Sequence, residues 1–161
     1  GGLREGLPAG QLTFGDLYEM FPFDNFITII DVSGAELRRV IATQAKSSRR
    51  VGFAGMRVFV ECVDQRMSVR MLRPDGREIA DDDQLSLLVN DYMALGGDAI
   101  LEPIMPAGGF TLRYELPRTR DAIVDWLRNR GGEFDPADWR RDDAPMWSPA
   151  GRIPPGCELR G

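Results

Sequence analysis

Three short stretches of the chain carry side chains able to hold a small ligand. In Gly1-Gly2-Leu3-Arg4 the small residues let backbone approach a ligand, and Arg4 offers a bidentate fork for a phosphate or carboxylate. A flexible end with a surface arginine is the plainer reading. Phe21-Pro22-Phe23-Asp24-Asn25 is a rigid turn carrying aromatic rings, of which one, Phe21 or Phe23, is expected in the core. Asn90-Asp91-Tyr92 followed by Gly96-Gly97-Asp98 is a strand end running into a glycine turn that can present a ring and a carboxylate to one ligand. Its plainer reading is a helix stop with a capping aspartate.

None of these groups completes a catalytic constellation. The 161 residues contain no histidine, which removes the commonest general base near neutral pH and the commonest transition-metal ligand. Cys62 and Cys157 lack paired metal or redox spacing, so they are buried thiols or one disulfide. Asp81-Asp82-Asp83 lacks the glycine turn and distal glutamate of a calcium loop and reads as a solvated loop. A net charge of −5 argues against a polynucleotide partner, while leaving room for a small anion. Lys46 is the only lysine, so arginine carries nearly all the basic charge. No apolar run is long enough to span a membrane. The Gly1-Gly2-Leu3-Arg4-Glu5 start has no signal-peptide pattern and reads as a cut through a longer protein.

Positioning these groups falls to a mixture of strands and helices. Thr13 caps a short helix that Pro22 ends, and residues 25–32 read as a central strand covered on both faces. Ser33-Gly34-Ala35-Glu36 is a capping box, behind which Leu37, Val40, Ile41 and Ala45 line one helix face. Alternation predicts half-buried strands at Met56–Cys62 and Met67–Met71, and further strands at Leu85–Val89 and Phe110–Tyr114. Thr119 opens a last helix with Ile123, Trp126 and Leu127 on one face, stopped by Gly131-Gly132. The fold class is α+β, a mixed sheet with hairpins and a few packed helices. Residues 1–132 form the domain, and residues 133–161 form an extension rich in Pro, Arg and Asp. The extension is draped on the domain or partly disordered, and residues 149–155 show no core-forming pattern.

Read in order, Gly1-Gly2-Leu3-Arg4, residues 7–18 from Leu7-Pro8-Ala9-Gly10 to Leu17-Tyr18, and Phe21-Pro22-Phe23-Asp24-Asn25 closely resemble the C-terminal domain of the 5'-nucleotidases. Val32-Ser33-Gly34-Ala35-Glu36-Leu37 and Asn90-Asp91-Tyr92-Met93-Ala94-Leu95-Gly96-Gly97-Asp98 continue the likeness, which covers about residues 1–130. The resemblance implies the nucleotide-binding half of a phosphoester hydrolase acting in nucleotide catabolism. Its catalytic N-terminal metallophosphoesterase domain, with two divalent metal ions, is a partner absent from this chain. No cofactor belongs to this chain, and alone it is expected to be inactive. Phe23 and Tyr92 match the pair of rings that sandwiches the base, Asp98 the carboxylate that accepts from the ribose diol, Arg4 the arginine near the phosphate, and Asn25 a variable polar position beside the base. Where the family often has a second glycine after the aspartate, this chain has Ala99. Periplasmic or extracellular location follows by family habit. The alternatives are a stand-alone nucleotide-binding module, or a structural cap in a related cyclic-nucleotide or sulfur-compound hydrolase.

Overall fold

A computed structural model describes residues 2–48, 50–131, 134–139, 146–149 and 151–159. Gly1, Arg49 and Gly132, together with parts of the extension, lie outside the described residues. Helix α1 (Phe14–Met20) begins with a reciprocal cap, in which the Asp16 N–H donates to Thr13 Oγ1 at 3.3 Å and the Thr13 N–H donates to the Asp16 carboxylate at 2.6 Å. The chain turns at Pro22 and enters β1 (Ile27–Ser33), which hands over without a loop to α2 (Gly34–Lys46). Ser33 and Glu36 form the expected capping box, and Leu37, Val40, Ile41 and Ala45 are buried at helical spacing. Gly34 is compulsory at this junction, because a β-carbon there would meet the Ala80 carbonyl oxygen at 1.8 Å.

Strands β2 (Arg57–Val63) and β3 (Arg66–Leu72) form an antiparallel hairpin. Its turn residues Asp64 and Gln65 have φ of 50° and 60°, the sign that matches the right-handed twist of the strands. Strand β4 (Gln84–Asn90) returns antiparallel to β1 with Ile27 opposite Asn90, and it ends in the one-turn helix α3 (Asp91–Ala94). Two of the three consecutive aspartates are tied to arginines, Asp81 to Arg38 at 2.8 Å and Asp83 to Arg73 at 2.9 Å, so this run braces the turn before β4.

Two strand expectations differ from the structure. Strand β1 pairs only with β4, in a two-stranded sheet, so it is not central. Residues 110–114 are not a strand, although they run beside β1. The Arg113 N–H donates to the Oγ1 of buried Thr28 at 2.9 Å, and this side chain intercepts a donor that a β-ladder needs for a carbonyl. Further along, the Ile27 N–H donates to the Pro117 carbonyl at 3.1 Å, and Phe26 forms an isolated bridge with Arg118. Helix α4 (Thr119–Asn129) starts there, and Gly131 after it has φ of 82°.

Residues 146–149 and 151–159 of the extension pack on the hairpin, while Phe134 meets the Trp126 ring of α4 edge to face at 5.9 Å. Strand β5 (Trp147–Ser148) lies parallel to β2 and β6 (Glu158–Leu159) parallel to β3, giving the order β5-β2-β3-β6. Cys62 and Cys157 form a disulfide, with their Cα atoms 6.1 Å apart. Ile153 is buried in the same hydrophobic cluster as α2 and the hairpin, and its N–H donates to the Ala45 carbonyl at 2.8 Å. Residues 149–155 therefore do feed the core, through one side chain with no periodic company. Arg50 donates to the Pro149 and Gly151 carbonyls and stacks 4.7 Å from the Trp147 ring, fastening this segment from the other side.

Candidate functional site

The five candidate residues come from the N-terminal segment (Arg4), the turn before β1 (Phe23, Asn25), and α3 with the turn after it (Tyr92, Asp98). Arg4 is held by its N–H, which donates to the Met20 carbonyl at the end of α1 at 2.9 Å, and its guanidinium lies 5.1 Å from the ring of Phe23. Of the two phenylalanines in this turn Phe21 is buried and Phe23 is half-buried, with their rings edge to face at 5.3 Å. Core burial of one and partial exposure of the other follow from their opposite sides of Pro22.

The antiparallel register that sets Ile27 against Asn90 brings the next residues outward together. Asn25 Nδ2 donates to Asp91 Oδ1 at 3.0 Å, and the Asp91 N–H donates to the Phe26 carbonyl at 2.9 Å. The same Asp91 oxygen accepts from the N–H of Tyr92 at 2.8 Å, so one carboxylate locks the turn with Asn25 to the turn with Tyr92. Asn90 caps α3 by accepting from the Met93 N–H at 2.8 Å, which leaves Asp98 free of a capping role.

Tyr92 is 49% exposed, and its ring lies directly over Gly97, where a β-carbon would come within 2.3 Å of Cε1. Its hydroxyl donates to Asp98 Oδ1 at 3.4 Å. Asp98 and Ala99 have φ of 54° and 53°, so this turn holds two side-chain-bearing residues in the left-handed region that glycine adopts freely. The arrangement presents an aromatic face and an ionisable acceptor side by side on an open surface. The structure thus groups the candidates as Arg4 with Phe23 and Tyr92 with Asp98, and Asn25 with Asp91 lies between them.

A cleft of about 620 Å³ lies elsewhere. It opens between α2, β4 and residues 51–56, its walls are mainly apolar, and none of the five candidates lines it. A second, of about 590 Å³, is lined by Arg4, Glu5, Gly6, Pro8, Asp16 and Glu19 and reaches the site only through Arg4. There the Thr13 hydroxyl and N–H hold the Asp16 carboxyl below the usual carboxylate range, so this cleft carries fixed negative charge beside the arginine. Among the described residues no three His, Cys, Asp or Glu side chains converge as metal ligands, and both cysteines are in the disulfide.

One residue escaped the sequence reading. Arg120 in α4 is buried and donates from Nη2 to Asp24 Oδ1 at 2.6 Å and from Nη1 to the carbonyls of Phe21 and Phe23. Its helical position gave no sign of this, since arginines on amphipathic helices ordinarily face water.

Comparison with known proteins supplies the relatives. The family model described as "5'-nucleotidase, C-terminal domain" matches residues 1–103. The chain is 35% identical over 131 residues to Endonuclease YhcR of Bacillus subtilis, covering 80% of this chain and 10% of that protein. It is 28% identical over 143 residues to the probable 5'-nucleotidase of Treponema pallidum, covering 80% of this chain and 22% of that protein. The crystal structure of a 5'-nucleotidase precursor from Thermus thermophilus superposes with a TM-score of 0.63 at 22% identity, over 80% of this chain and 27% of that one. The chain therefore spans between a tenth and about a quarter of the length of these relatives.

Proposed function

The chain belongs to the family of 5'-nucleotidase C-terminal domains, and from that premise we propose that it receives the nucleoside part of a nucleotide within a larger phosphoester hydrolase. The observation that carries this reading is the pairing of the half-exposed Tyr92 ring with Asp98 across the glycine turn. A flat ring backed by Gly97 offers a stacking face to a heterocycle, worth roughly 1–3 kcal/mol per base and tolerant of base identity. An ionised carboxylate beside it accepts two hydrogen bonds from a vicinal diol. Phe23 supplies the second ring, Asn25 a polar contact at the base edge, and Arg4 a cation for the phosphate. Tyr92 and Asp98 come from α3 and the turn after it, Phe23 from the turn before β1, and Arg4 from the N-terminal segment packed on Phe23, and the Asn25–Asp91 bond ties the Phe23 turn to α3.

Bond breaking belongs to the metallophosphoesterase partner, where a metal pair supplies activated water. This chain's residues bind and orient. Residues 1–132 carry the binding surface, and residues 133–161 are a Pro, Arg and Asp-rich extension beyond it. The disulfide favours an oxidising compartment, which accords with a periplasmic or extracellular enzyme. No helix among the described residues is long and apolar enough to cross a membrane.

Calorimetric titration of the chain with adenosine and with AMP tests the proposal. Saturable binding is expected, with AMP tighter through Arg4, and Tyr92→Ala should weaken both by about 1–3 kcal/mol. Absence of binding at millimolar ligand would leave a structural cap as the better reading. The endonuclease name of one relative supports a second reading, in which the same turn holds a nucleotide of a polymer. Competition by a short oligonucleotide stronger than that by AMP would favour it, against the net charge of −5.

A further inference from the structure

Helix α4 contributes a residue that makes no approach to the open surface, yet holds the turn on which a ligand-facing ring stands. The Arg120 side chain is 8% exposed. From one planar group it reaches the Phe21 carbonyl at 3.1 Å, the Phe23 carbonyl at 3.4 Å and the Asp24 carboxylate at 2.6 Å. Among the described residues no backbone N–H donates to either carbonyl, and this guanidinium is the protein donor that reaches both. The Phe14 and Tyr18 rings of α1 lie 5.5 and 4.8 Å from its central carbon and hold it in place. Next to it, the Thr119 N–H and hydroxyl both donate to the Asn25 carbonyl, at 2.8 and 3.1 Å. The first two residues of α4 thus grip Phe21, Phe23, Asp24 and Asn25 in succession.

Among the described residues, buried Arg120 Nε has no hydrogen-bond partner. An unpaired buried donor is unfavourable, and the fold tolerates it because the fork is aimed at the turn instead. We infer that Arg120 is a positioning residue for the nucleoside site, setting the backbone of residues 21–25 so that the Phe23 ring stands where it meets the base. This rests on the nucleoside reading given above. Arg120 lies beyond residues 1–103, so the grip is supplied from outside the segment that the family model matches. Lysine cannot replace it, since a point ammonium lacks the planar fork that spans two carbonyls and a carboxylate.

The test uses the whole chain as wild type, Arg120→Lys, Asp24→Asn, Phe23→Ala, and Phe23→Ala combined with Arg120→Lys. Adenosine affinity is measured by calorimetry, and amide exchange is followed across residues 21–25. Arg120→Lys is expected to speed exchange in that turn and to weaken adenosine about tenfold, with no further loss once Phe23 is already alanine. Asp24→Asn keeps the buried cation and its packing, and is expected to move both readouts the same way by a smaller factor. An unchanged affinity in Arg120→Lys while Phe23→Ala weakens binding would overturn the inference. So would an equal loss in the Phe23→Ala background, because the arginine would then act by another route. If the wild-type chain does not bind adenosine, the nucleoside reading is what fails. Exchange then judges the grip alone, faster exchange in Arg120→Lys supporting it and unchanged exchange overturning it.

Discussion

Gly97 lies so close under the Tyr92 ring that any side chain there must displace the aromatic face. Because Tyr92 is half-exposed and outside the core, Gly97→Ala should leave the unfolding free energy from urea titration within about 0.5 kcal/mol of wild type after allowing for the added residue's own preferences. Its adenosine affinity should fall about as far as in Tyr92→Ala. A variant that unfolds with the ring shift would show that Tyr92 is a packing residue. Tyr92, Asp98 and the Gly-Gly pair were readable from type and spacing, because a turn with small residues beside a ring is a local pattern. Arg120 was not, since its partners Phe21, Phe23 and Asp24 are almost a hundred residues away in the chain.

The β1-to-α2 junction is the tightest joint among the elements. The Gly34 and Ala35 N–H groups donate to the Asp83 and Asp81 carbonyls at 2.9 and 3.0 Å, so the first turn of α2 is pressed against the turn that precedes β4. Gly34→Ala would set a methyl group into the Ala80 carbonyl, and a loss of about 2–4 kcal/mol in unfolding free energy is expected by denaturant titration. In the same cap, the Ser33 N–H and hydroxyl donate to Glu36 at 2.8 and 2.9 Å and hold its carboxyl below the ordinary value. A folded pKa below the unfolded one gives stability that is complete above the unfolded value, about 4.3, and is lost as pH falls through the folded one. Glu36→Gln should therefore lower the urea midpoint at pH 7, and the gap from wild type should close on acidification. A gap independent of pH would mean the carboxylate charge contributes nothing to the cap. The Thr13 cap, the Ser33–Glu36 capping box and the β2–β3 alternation could be read in sequence because each depends on neighbours within a few positions. The place of β1 could not. Its apolar run fits a central strand, but on its open side Thr28 takes a backbone donor with its hydroxyl oxygen.

Across the whole molecule, one covalent link joins the hairpin to the extension over a sequence separation of 95 residues. A closed loop of that length restricts the unfolded chain by an amount worth about 4–5 kcal/mol in the chain-entropy account. Reduction should lower the unfolding free energy by up to that amount, and an unchanged value would show that burial of Trp147 and Ile153 suffices. That these side chains reach the core was hidden in the sequence, because Trp147, Ile153 and Cys157 are single apolar residues among prolines and charges. Their placement comes from the hairpin they meet. The segments at Trp147–Ser148 and Glu158–Leu159 occupy the outer backbone groups of the hairpin, one on each flank. Over Val58–Phe59 and Arg66–Met67 those groups are already taken, so at these positions the carboxy-terminal segment acts as a guard against the edge-to-edge stacking from which fibres grow.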